Sequence, residues 1–419
     1  MPTFIEVVTD WAQQLRAQHN NEIAILSRNA TLYAYAVAAP AADTGADHRT
    51  AACIVMQSQF WNAQANLLAL SYAPTAACIG MATLLGIRRI VWLNAATGVQ
   101  HSMTLHATNA PAHQVGGAQA VVIQAVATAY ANIPALPVPL PPLAFPPVIR
   151  PHQFGLPSYV VDLVSGLNGP DDTVRDNMCT QLAFAIAFRA HGPLRPGMGV
   201  LPLRRRPGYY GQNIASVMVD QTYNILGWAV NTNVAHPSYH GEINMIRQHQ
   251  RTAGQALPNN GKLFTTLEPC VMCSGMIVHA TGPANTFSVV SGQSDFHVGY
   301  SALRTVSGVD GATANARVNT HHSIARTPHL PGSSFSSGMS AAQGVGLRWM
   351  SPGAGQMPRM MQPPVGPTTR FLESQTGKDF MDDASRMLNM QAALWLPTAS
   401  RGAWRRKLSD FLDFVDDVV

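Results

Sequence analysis

A proline-rich segment at residues 133–158 divides the 419-residue chain and limits what it can fold into. Proline fixes its own φ angle, lacks an N–H donor and disfavours helix at the residue before it, so this segment must be extended. It cannot form the interior of a helix or of a sheet, and we interpret it as a linker or strap between compact units. A chain of this length is expected to contain two or three such units.

Residues 1–132 are predicted to form an N-terminal α/β domain that begins with an amphipathic helix from Phe4 to Gln18. Apolar runs indicate strands, and a longer apolar segment indicates a second helix. The strands are expected at Ile23–Leu26, Leu32–Val37, Cys53–Phe60 and Arg89–Leu93, and the second helix at Ala63–Leu85.

Residues 159–330 form a second predicted domain, with the order helix, two strands, helix, strand, helix and strand. This order is typical of a three-layer α/β unit. Its helices are expected to begin at Asp171, around Tyr239–Gly241 and around Val271, and its strands at Ile214–Val219, Tyr223–Val230, Leu263–Thr266 and Thr286–Ser291.

The remaining residues divide into two parts. Residues 331–369 are rich in Gly, Ser, Pro and Met, which predicts a flexible segment without regular structure. Residues 370–419 contain two amphipathic helices, near Lys378–Leu396 and Gly402–Val418, that are expected to pack on the second domain. The apolar side of the last helix consists of Trp404, Leu408, Phe411, Leu412 and Val415.

Composition limits the cell compartment and the partners. The net charge of +5 is carried almost entirely by arginine and is compatible with nucleic-acid contact. Five cysteines, two of them in C-x-x-C, fit a reducing compartment. The start of the chain has no signal-peptide pattern, and no apolar run is long enough to span a membrane. We expect a cytoplasmic protein, with export by a signal-less route and assembly into a homo-oligomer left open.

Two short motifs predict a zinc site. His240-Gly-Glu242 is followed, 30 positions after His240, by Pro269-Cys270-x-x-Cys273. One imidazole and two thiolates supply three corners of a zinc tetrahedron and leave the fourth for water. If the cysteines open a helix after Pro269, their spacing places both sulfurs on one face, where the helix N-terminus favours thiolates. We therefore predict Zn²⁺ held by His240, Cys270 and Cys273, with Glu242 as the catalytic group that moves protons.

A structural zinc site is the alternative interpretation. Such a site needs a fourth cysteine or histidine ligand. The histidines near enough in sequence to supply one are His236, His249 and His279.

The stretches HPSYHGEINMI (236–246) and LFTTLEPCVMCSGMIVHA (263–280) resemble the cytidine deaminase superfamily. TLEPCVMCSGMI is especially similar to tRNA adenosine deaminases, HGEI is similar to free-cytosine deaminases, and bacterial toxin-type deaminases share the same core. The resemblance covers about residues 171–300 and implies an α/β/α sandwich around a mixed five-stranded sheet. It also implies that Asn231 or Asn233 contacts the substrate and that the Gly241 amide faces the base, although NTN is also an ordinary turn sequence.

Three substrate classes compete. In the first, adenine or cytosine is deaminated within DNA or RNA, and a basic loop grips the polymer with neighbouring aromatic residues. The residues of this loop are Arg204, Arg205, Arg206, Tyr209 and Tyr210, although such a run is equally often a solvated loop. The alternative is a free nucleobase, nucleoside or nucleotide in salvage. The third, a deaminase-like fold that only binds, is disfavoured by the intact motif residues.

The N-terminal domain contains a weak echo of the cysteine motif. Residues 74–92 match 269–290 at four places: Pro74 with Pro269, Thr75 with Cys270, Cys78 with Cys273, and Gly80-Met81 with Gly275-Met276. The nearest echo of His-x-Glu, Gln64-Ala-Asn66, is much too close to this segment. The hypothesis is a degenerate deaminase-like copy that cannot bind zinc; the alternative is a helix and strand of similar composition only.

Overall fold

A computed structural model describes sixteen stretches of the chain. They are residues 3–28, 31–38, 51–58, 67–94, 99–105, 126–127, 155–191, 214–232, 238–253, 256–267, 269–281, 285–293, 318–322, 348–350, 359–361 and 375–418. Several residues named above lie outside these ranges, namely Arg204, Arg205, Arg206, Tyr209, Tyr210, Asn233 and His236. Within the described ranges, no helix has both the length and the apolar character that a bilayer crossing requires.

The N-terminal domain is a six-stranded sheet with helices on both faces. Its elements are α1 (Phe4–His19), β1 (Ile23–Arg28), β2 (Thr31–Val37), α2 (Ala51–Ser58), β3 (Leu67–Leu70), α3 (Ala76–Leu84), β4 (Arg89–Asn94), β5 (Val99–Thr104) and β6 (Val126–Ala127). The strand order is β2-β1-β3-β4-β5-β6, and only the β3/β4 pair is parallel.

Alternation along β1 separates the two faces of this sheet. Ile23 and Ile25 belong to the apolar cluster under α1, whereas Ala24 and Leu26 belong to the cluster that contains α2 and α3. Successive side chains of a strand point to opposite faces, so α1 covers one face and α2 and α3 cover the other. The capping box of Thr3 and Glu6 fixes the start of α1.

The second domain is built on a mixed five-stranded sheet. Its elements are α4 (Asp172–His191), β7 (Ala215–Val219), β8 (Ile225–Val230), α5 (Gly241–Ala253), β9 (Gly261–Leu267), α6 (Val271–Thr281), β10 (Phe287–Gln293) and β11 (Val318–His322). The strand order is β11-β10-β9-β7-β8; β9, β10 and β11 run parallel, and β7 is antiparallel to both of its neighbours. The predicted α/β fold with a mixed five-stranded sheet is confirmed.

Neighbouring residues of β8 show that helices cover both faces of this sheet as well. Gly227 lies directly against Met245 of α5, and the next residue, Trp228, packs edge-on against Phe411 and Phe414. Those two phenylalanines belong to a C-terminal helix, so α5 and the C-terminal helix lie on opposite faces. With α4 beside the C-terminal helices and α6 beside α5, the domain has three layers.

The C-terminal helices pack against the first helix of the second domain. They are α7 (Gln375–Trp395) and α8 (Thr398–Val418), and both contact α4. The expected apolar side of α8, from Trp404 to Val415, is buried. The indole N–H of Trp404 donates to the carbonyl of Leu163 at 2.8 Å, which attaches α8 to the start of the second domain.

Both domains place their elements in the same order. Each has one helix, two strands, a helix, a strand, a helix and two strands, and the five shared strands have the same order across the sheet. The first three strand pairings also agree in direction. They differ at the last pair, since β4/β5 is antiparallel and β10/β11 is parallel.

Three predictions of secondary structure are wrong. The expected strand Cys53–Phe60 begins inside helix α2, and the expected helix Ala63–Leu85 contains strand β3 followed by α3. Periodicity cannot separate a short buried strand from a buried helix when nearly every residue is apolar. The segment 331–369, expected to lack regular structure, contains the paired strands β12 (Arg348–Met350) and β13 (Arg359–Met361), which are too short to show an alternating pattern.

Candidate metal centre

Two helix N-termini meet at the predicted metal ligands. His240 lies directly before α5, and its carbonyl accepts the first helical hydrogen bond, from the amide of Asn244. Cys270 has the same place before α6, where its carbonyl accepts from the amide of Ser274. Cys273 is on the first turn of α6. The two helices therefore bring their free N–H groups and positive dipole ends to one place, which favours negatively charged sulfur.

The three predicted ligands form a compact triangle. The Sγ atoms of Cys270 and Cys273 are 3.6 Å apart, and each lies 3.5 Å from Nδ1 of His240. Zn–S bonds of about 2.3 Å and Zn–N bonds of about 2.0 Å in a tetrahedron give ligand separations of about 3.5–3.8 Å. The donor set therefore fits zinc in both chemistry and spacing.

The negative charge of the cysteine pair favours the binding of a cation. The hydrogen bond between the two thiols holds the pKa of Cys270 well below its usual range, and the His240 ring acts in the same direction. Burial raises the pKa of the Cys273 thiol, and the neighbouring Cys270 sulfur raises it further. The pair thus retains one proton, and a divalent cation that replaces this proton would bind two thiolates.

Glu242 lies beside the triangle on the first turn of α5 and is almost fully buried. Its Oε2 lies 3.5 Å from the Sγ of Cys273, and its Oε1 lies 3.2 Å from the hydroxyl of Thr265, whose proton is shared with the carbonyl of Leu267 at 3.0 Å. Burial raises the pKa of the Glu242 carboxyl, and His240 opposes the rise. A carboxyl with a raised pKa can both accept and return a proton near neutral pH.

The sequence did not single out Thr265. This residue reaches Glu242 from β9, a strand that is adjacent to α5 in space and 23 residues away in sequence. The only local signal is a hydroxyl near the carboxyl end of a predicted strand, three residues before the Glu268-Pro269 dipeptide.

The residues that follow β8 lie close to the start of α5. Asn231 is fully buried, and a Cβ atom at Gly241 would lie 3.5 Å from its backbone nitrogen and 3.3 Å from Cγ2 of Ile214, so a larger residue at Gly241 would require the Ile214 side chain to shift. The side-chain amide of Asn244 donates to the carbonyl of Val230 and to the hydroxyl of Thr232. Of the two asparagines predicted to contact substrate, Asn231 lies against the start of α5, and Asn233 is outside the described residues.

Within the described part of the chain, His240, Cys270 and Cys273 are the only group of three or more metal-ligating side chains close enough to share an ion. His249 instead lies 3.4 Å from the carbonyl of Ala256, and His279 is in the last turn of α6, away from the cysteines. Neither histidine joins the triangle. The third candidate for a fourth ligand, His236, is outside the described residues.

Known proteins are similar to the part of the chain that carries this site. Residues 206–306 match the model of the Bd3614-like deaminase family. A tRNA-specific adenosine deaminase from Haemophilus influenzae is 33% identical over 88 residues, which are 20% of this chain and 49% of that protein. The chain therefore spans about half the length of this curated relative.

Two solved structures are more distant. One comes from a study of A-to-I editing by tRNA:A34 deaminases; it is 23% identical and covers 30% of this chain and 83% of its own, with a TM-score of 0.23. The other is a guanine deaminase from Nitrosomonas europaea, 17% identical over 41% of this chain and 88% of its own, with a TM-score of 0.24. The family match and the sequence similarity of the curated relative place residues 206–306, and with them His240, Glu242, Cys270 and Cys273, in the cytidine deaminase superfamily.

Proposed function

We propose that the protein is a zinc-dependent hydrolytic deaminase that removes an exocyclic amino group from a nucleobase and releases ammonia. The observation that carries the proposal is the His240, Cys270 and Cys273 triangle with the buried carboxylate of Glu242 beside it. When bound, zinc supplies Lewis-acid activation of water at neutral pH. Three protein ligands leave a coordination position open, as expected of a catalytic site.

Glu242 has the proton-transfer role in this proposal. Its carboxylate takes a proton from the attacking water as the new C–O bond forms, and returns it to the exocyclic amine as the C–N bond breaks. Water is consumed, ammonia leaves, and the carboxylate is regenerated. Thr265 holds Oε1 through its hydroxyl, so the carboxylate keeps one orientation during both transfers.

Asn231 and Gly241 are proposed to contact the base. Asn231 is buried next to the first turn of α5, and the side-chain amide of Asn244 holds its two neighbours through the carbonyl of Val230 and the hydroxyl of Thr232. Because the base has a planar polar edge, a fixed side-chain amide can donate and accept along that edge. Asn233 has the same proposed role as a second candidate.

The proposed substrate is a base within nucleic acid. The net charge of +5 and the cluster Arg204–Arg206 favour a phosphate-bearing polymer. Two features favour adenine over cytosine. They are the residue sequence of the LEPCVMC motif and the similarity to a tRNA-specific adenosine deaminase. A cytoplasmic location fits five cysteines that form no disulfide bond.

Ammonia release tests this proposal. Zinc-loaded protein is assayed on cytosine, cytidine, adenosine, guanine, single- and double-stranded DNA and tRNA, with Glu242→Ala as the inactive control. We expect turnover of polymers only, and none by Glu242→Ala. Turnover of a free base or nucleoside would assign the protein to salvage, and turnover by Glu242→Ala would contradict the mechanism.

The basic loop is tested by changing Arg204, Arg205 and Arg206 together to alanine. If these arginines neutralise phosphates, the variant binds nucleic acid more weakly and with a flatter salt dependence. An unchanged slope of log Kd against log salt concentration would exclude the loop from substrate binding.

A further inference from the structure

The N-terminal domain has its own pair of helix N-termini at the positions that correspond to the metal centre. Thr75 directly precedes α3 and caps it, accepting from the amide of Cys78 at 3.3 Å, just as Cys270 directly precedes α6. Ala52 is the second residue of α2, as Glu242 is the second residue of α5. Thr75 and Cys78 therefore stand at the positions of Cys270 and Cys273. Ala52, whose side chain is a methyl group, stands at the position of Glu242.

A tyrosine hydroxyl lies between these two helix N-termini. The amide of Ala52, on the first turn of α2, donates to the hydroxyl of Tyr72 at 3.0 Å. The same hydroxyl is 3.9 Å from the Sγ of Cys78, and that sulfur is 3.1 Å from the hydroxyl of Thr75. Burial raises the pKa of Tyr72 well above its usual range, so the group is neutral. One neutral hydroxyl therefore lies between α2 and α3. In the second domain, a metal ion would lie between the corresponding helices, α5 and α6.

The two domains meet through equivalent helices. α3 packs against α6, and both are buried on nearly every side: Ala76 to Thr83 on α3, and Met272 to Thr281 on α6 apart from His279. A helix that is apolar all round needs cover on two sides. Each helix obtains it from its own sheet on one side and from the other helix on the opposite side.

We propose that the N-terminal domain is a metal-free copy of the deaminase fold that replaces a second subunit. It pairs with the catalytic domain through α3 and α6, and the Tyr72 hydroxyl occupies the position that corresponds to the metal. Since α6 carries Cys273, the copy holds the metal-binding helix against the catalytic sheet from outside. The pairing covers this face of α6, so a second copy of the chain cannot bind there.

The metal position is tested by building a ligand set in the N-terminal domain of the full-length chain. The double variant Tyr72→His, Thr75→Cys combines an imidazole, a new thiol and the native Cys78. Because the imidazole is shorter than the phenol, an ion can occupy the position of the Tyr72 hydroxyl. The matched control is Tyr72→His, Thr75→Ser, which lacks the second thiol. Cobalt per chain and the thiolate-to-cobalt absorption band are measured in each protein.

We expect one cobalt in the wild type and in the control, and two in the double variant. A folded double variant that binds only one cobalt would contradict the proposed equivalence. The inference rests on the catalytic half binding metal, which is part of the proposed function. The wild-type measurement tests that part separately, because a wild type without cobalt would contradict the proposed function itself.

The pairing is tested by native-state hydrogen exchange of the wild-type chain. If α3 and α6 protect each other, their amides exchange with similar, slow rates that approach the limit set by global unfolding. Exchange of α3 several orders of magnitude faster than exchange of α6 would show that the domains do not form one interface. Sedimentation of the same protein should give no dimer that forms through α6, and a dimer that protects α6 further would overturn the proposal.

Discussion

The two α/β domains of this chain share an element order and differ at equivalent helix N-termini, where Ala52 and Thr75 stand at the positions of Glu242 and Cys270, whereas Cys78 matches Cys273. In the second domain, His240, Glu242, Cys270 and Cys273 form an ionisable cluster around a space that suits zinc. In the N-terminal domain, the hydroxyl of Tyr72 connects the corresponding helices. The scaffold supplies the same converging helix dipoles in both places. Whether the place becomes a metal site is decided by the few residues at the helix N-termini, and not by the fold.

The largest expected effect comes from replacing one cysteine in each of the two domains. Cys273→Ser should reduce zinc from one per chain to nearly none and abolish deamination, because a hydroxyl is a far weaker zinc ligand than a thiolate. Cys78→Ser, at the equivalent position of the N-terminal domain, should leave the zinc content unchanged. Elemental analysis of the purified proteins measures both. Zinc loss in Cys78→Ser, or full zinc in Cys273→Ser, would reverse the assignment of the two domains.

Removing the ionisable carboxylate should have the next largest effect. Glu242→Gln keeps the shape of the side chain but cannot accept a proton, so kcat should fall by about 10²–10⁴-fold with zinc retained. Glu22→Gln, a matched change at a half-buried carboxyl of the N-terminal domain, should leave kcat within about twofold, since Glu22 is not part of the predicted metal centre. Steady-state kinetics on the substrate identified by the ammonia assay measure kcat for both variants. Equal losses in the two variants would indicate a structural role for Glu242.

A smaller effect is expected at Thr265, which orients the carboxylate without touching the metal triangle. Thr265→Val removes the hydrogen bond to Oε1 of Glu242. Hydrogen bonds to charged groups contribute about 1.5–3 kcal/mol, so kcat should fall about tenfold to a hundredfold. KM and zinc content should not change. Thr265→Ser, which restores the hydroxyl, should recover most of the activity, and a failure to do so would show that the methyl group and not the hydroxyl matters.

The smallest effect on activity is expected at the hydroxyl of the N-terminal domain. Tyr72→Phe leaves the buried amide of Ala52 without its acceptor, which should cost about 1–3 kcal/mol of unfolding free energy in urea. Activity per folded molecule should be unchanged. Tyr35→Phe is the control, because Tyr35 lies in the apolar cluster on the other face of the same sheet. Equal stability losses in both variants would mean that the Tyr72 hydroxyl has no special role.

The grouping of His240, Cys270 and Cys273 could be anticipated from the sequence because its information is local. Cys270 and Cys273 are three residues apart at a helix start, and His240 and Glu242 are two residues apart at another helix start. Thr265 could not be predicted, because its contact with Glu242 depends on how β9 lies beside α5. Such a contact is set by the packing of the sheet and not by spacing along the chain.

The N-terminal domain was harder to predict for a physical reason. Its α2 and β3 are short and almost wholly apolar, so neither the period of 3.6 nor the period of 2 appears. With α2 unrecognised, the sequence offered Asn66 as the nearest echo of the catalytic glutamate, whereas the element order places Ala52 at the equivalent position. The match of Pro74, Thr75 and Cys78 to the cysteine motif falls at the true start of α3, although the helix was predicted to begin at Ala63.

The most direct test of the account is X-ray absorption at the zinc edge of the full-length chain loaded with one zinc. The account predicts two sulfur ligands at about 2.3 Å, lighter ligands at about 2.0–2.1 Å, and outer-shell scattering from a single imidazole, with a remaining position for water. Two imidazoles, or fewer than two sulfurs, would contradict an open site formed by His240, Cys270 and Cys273.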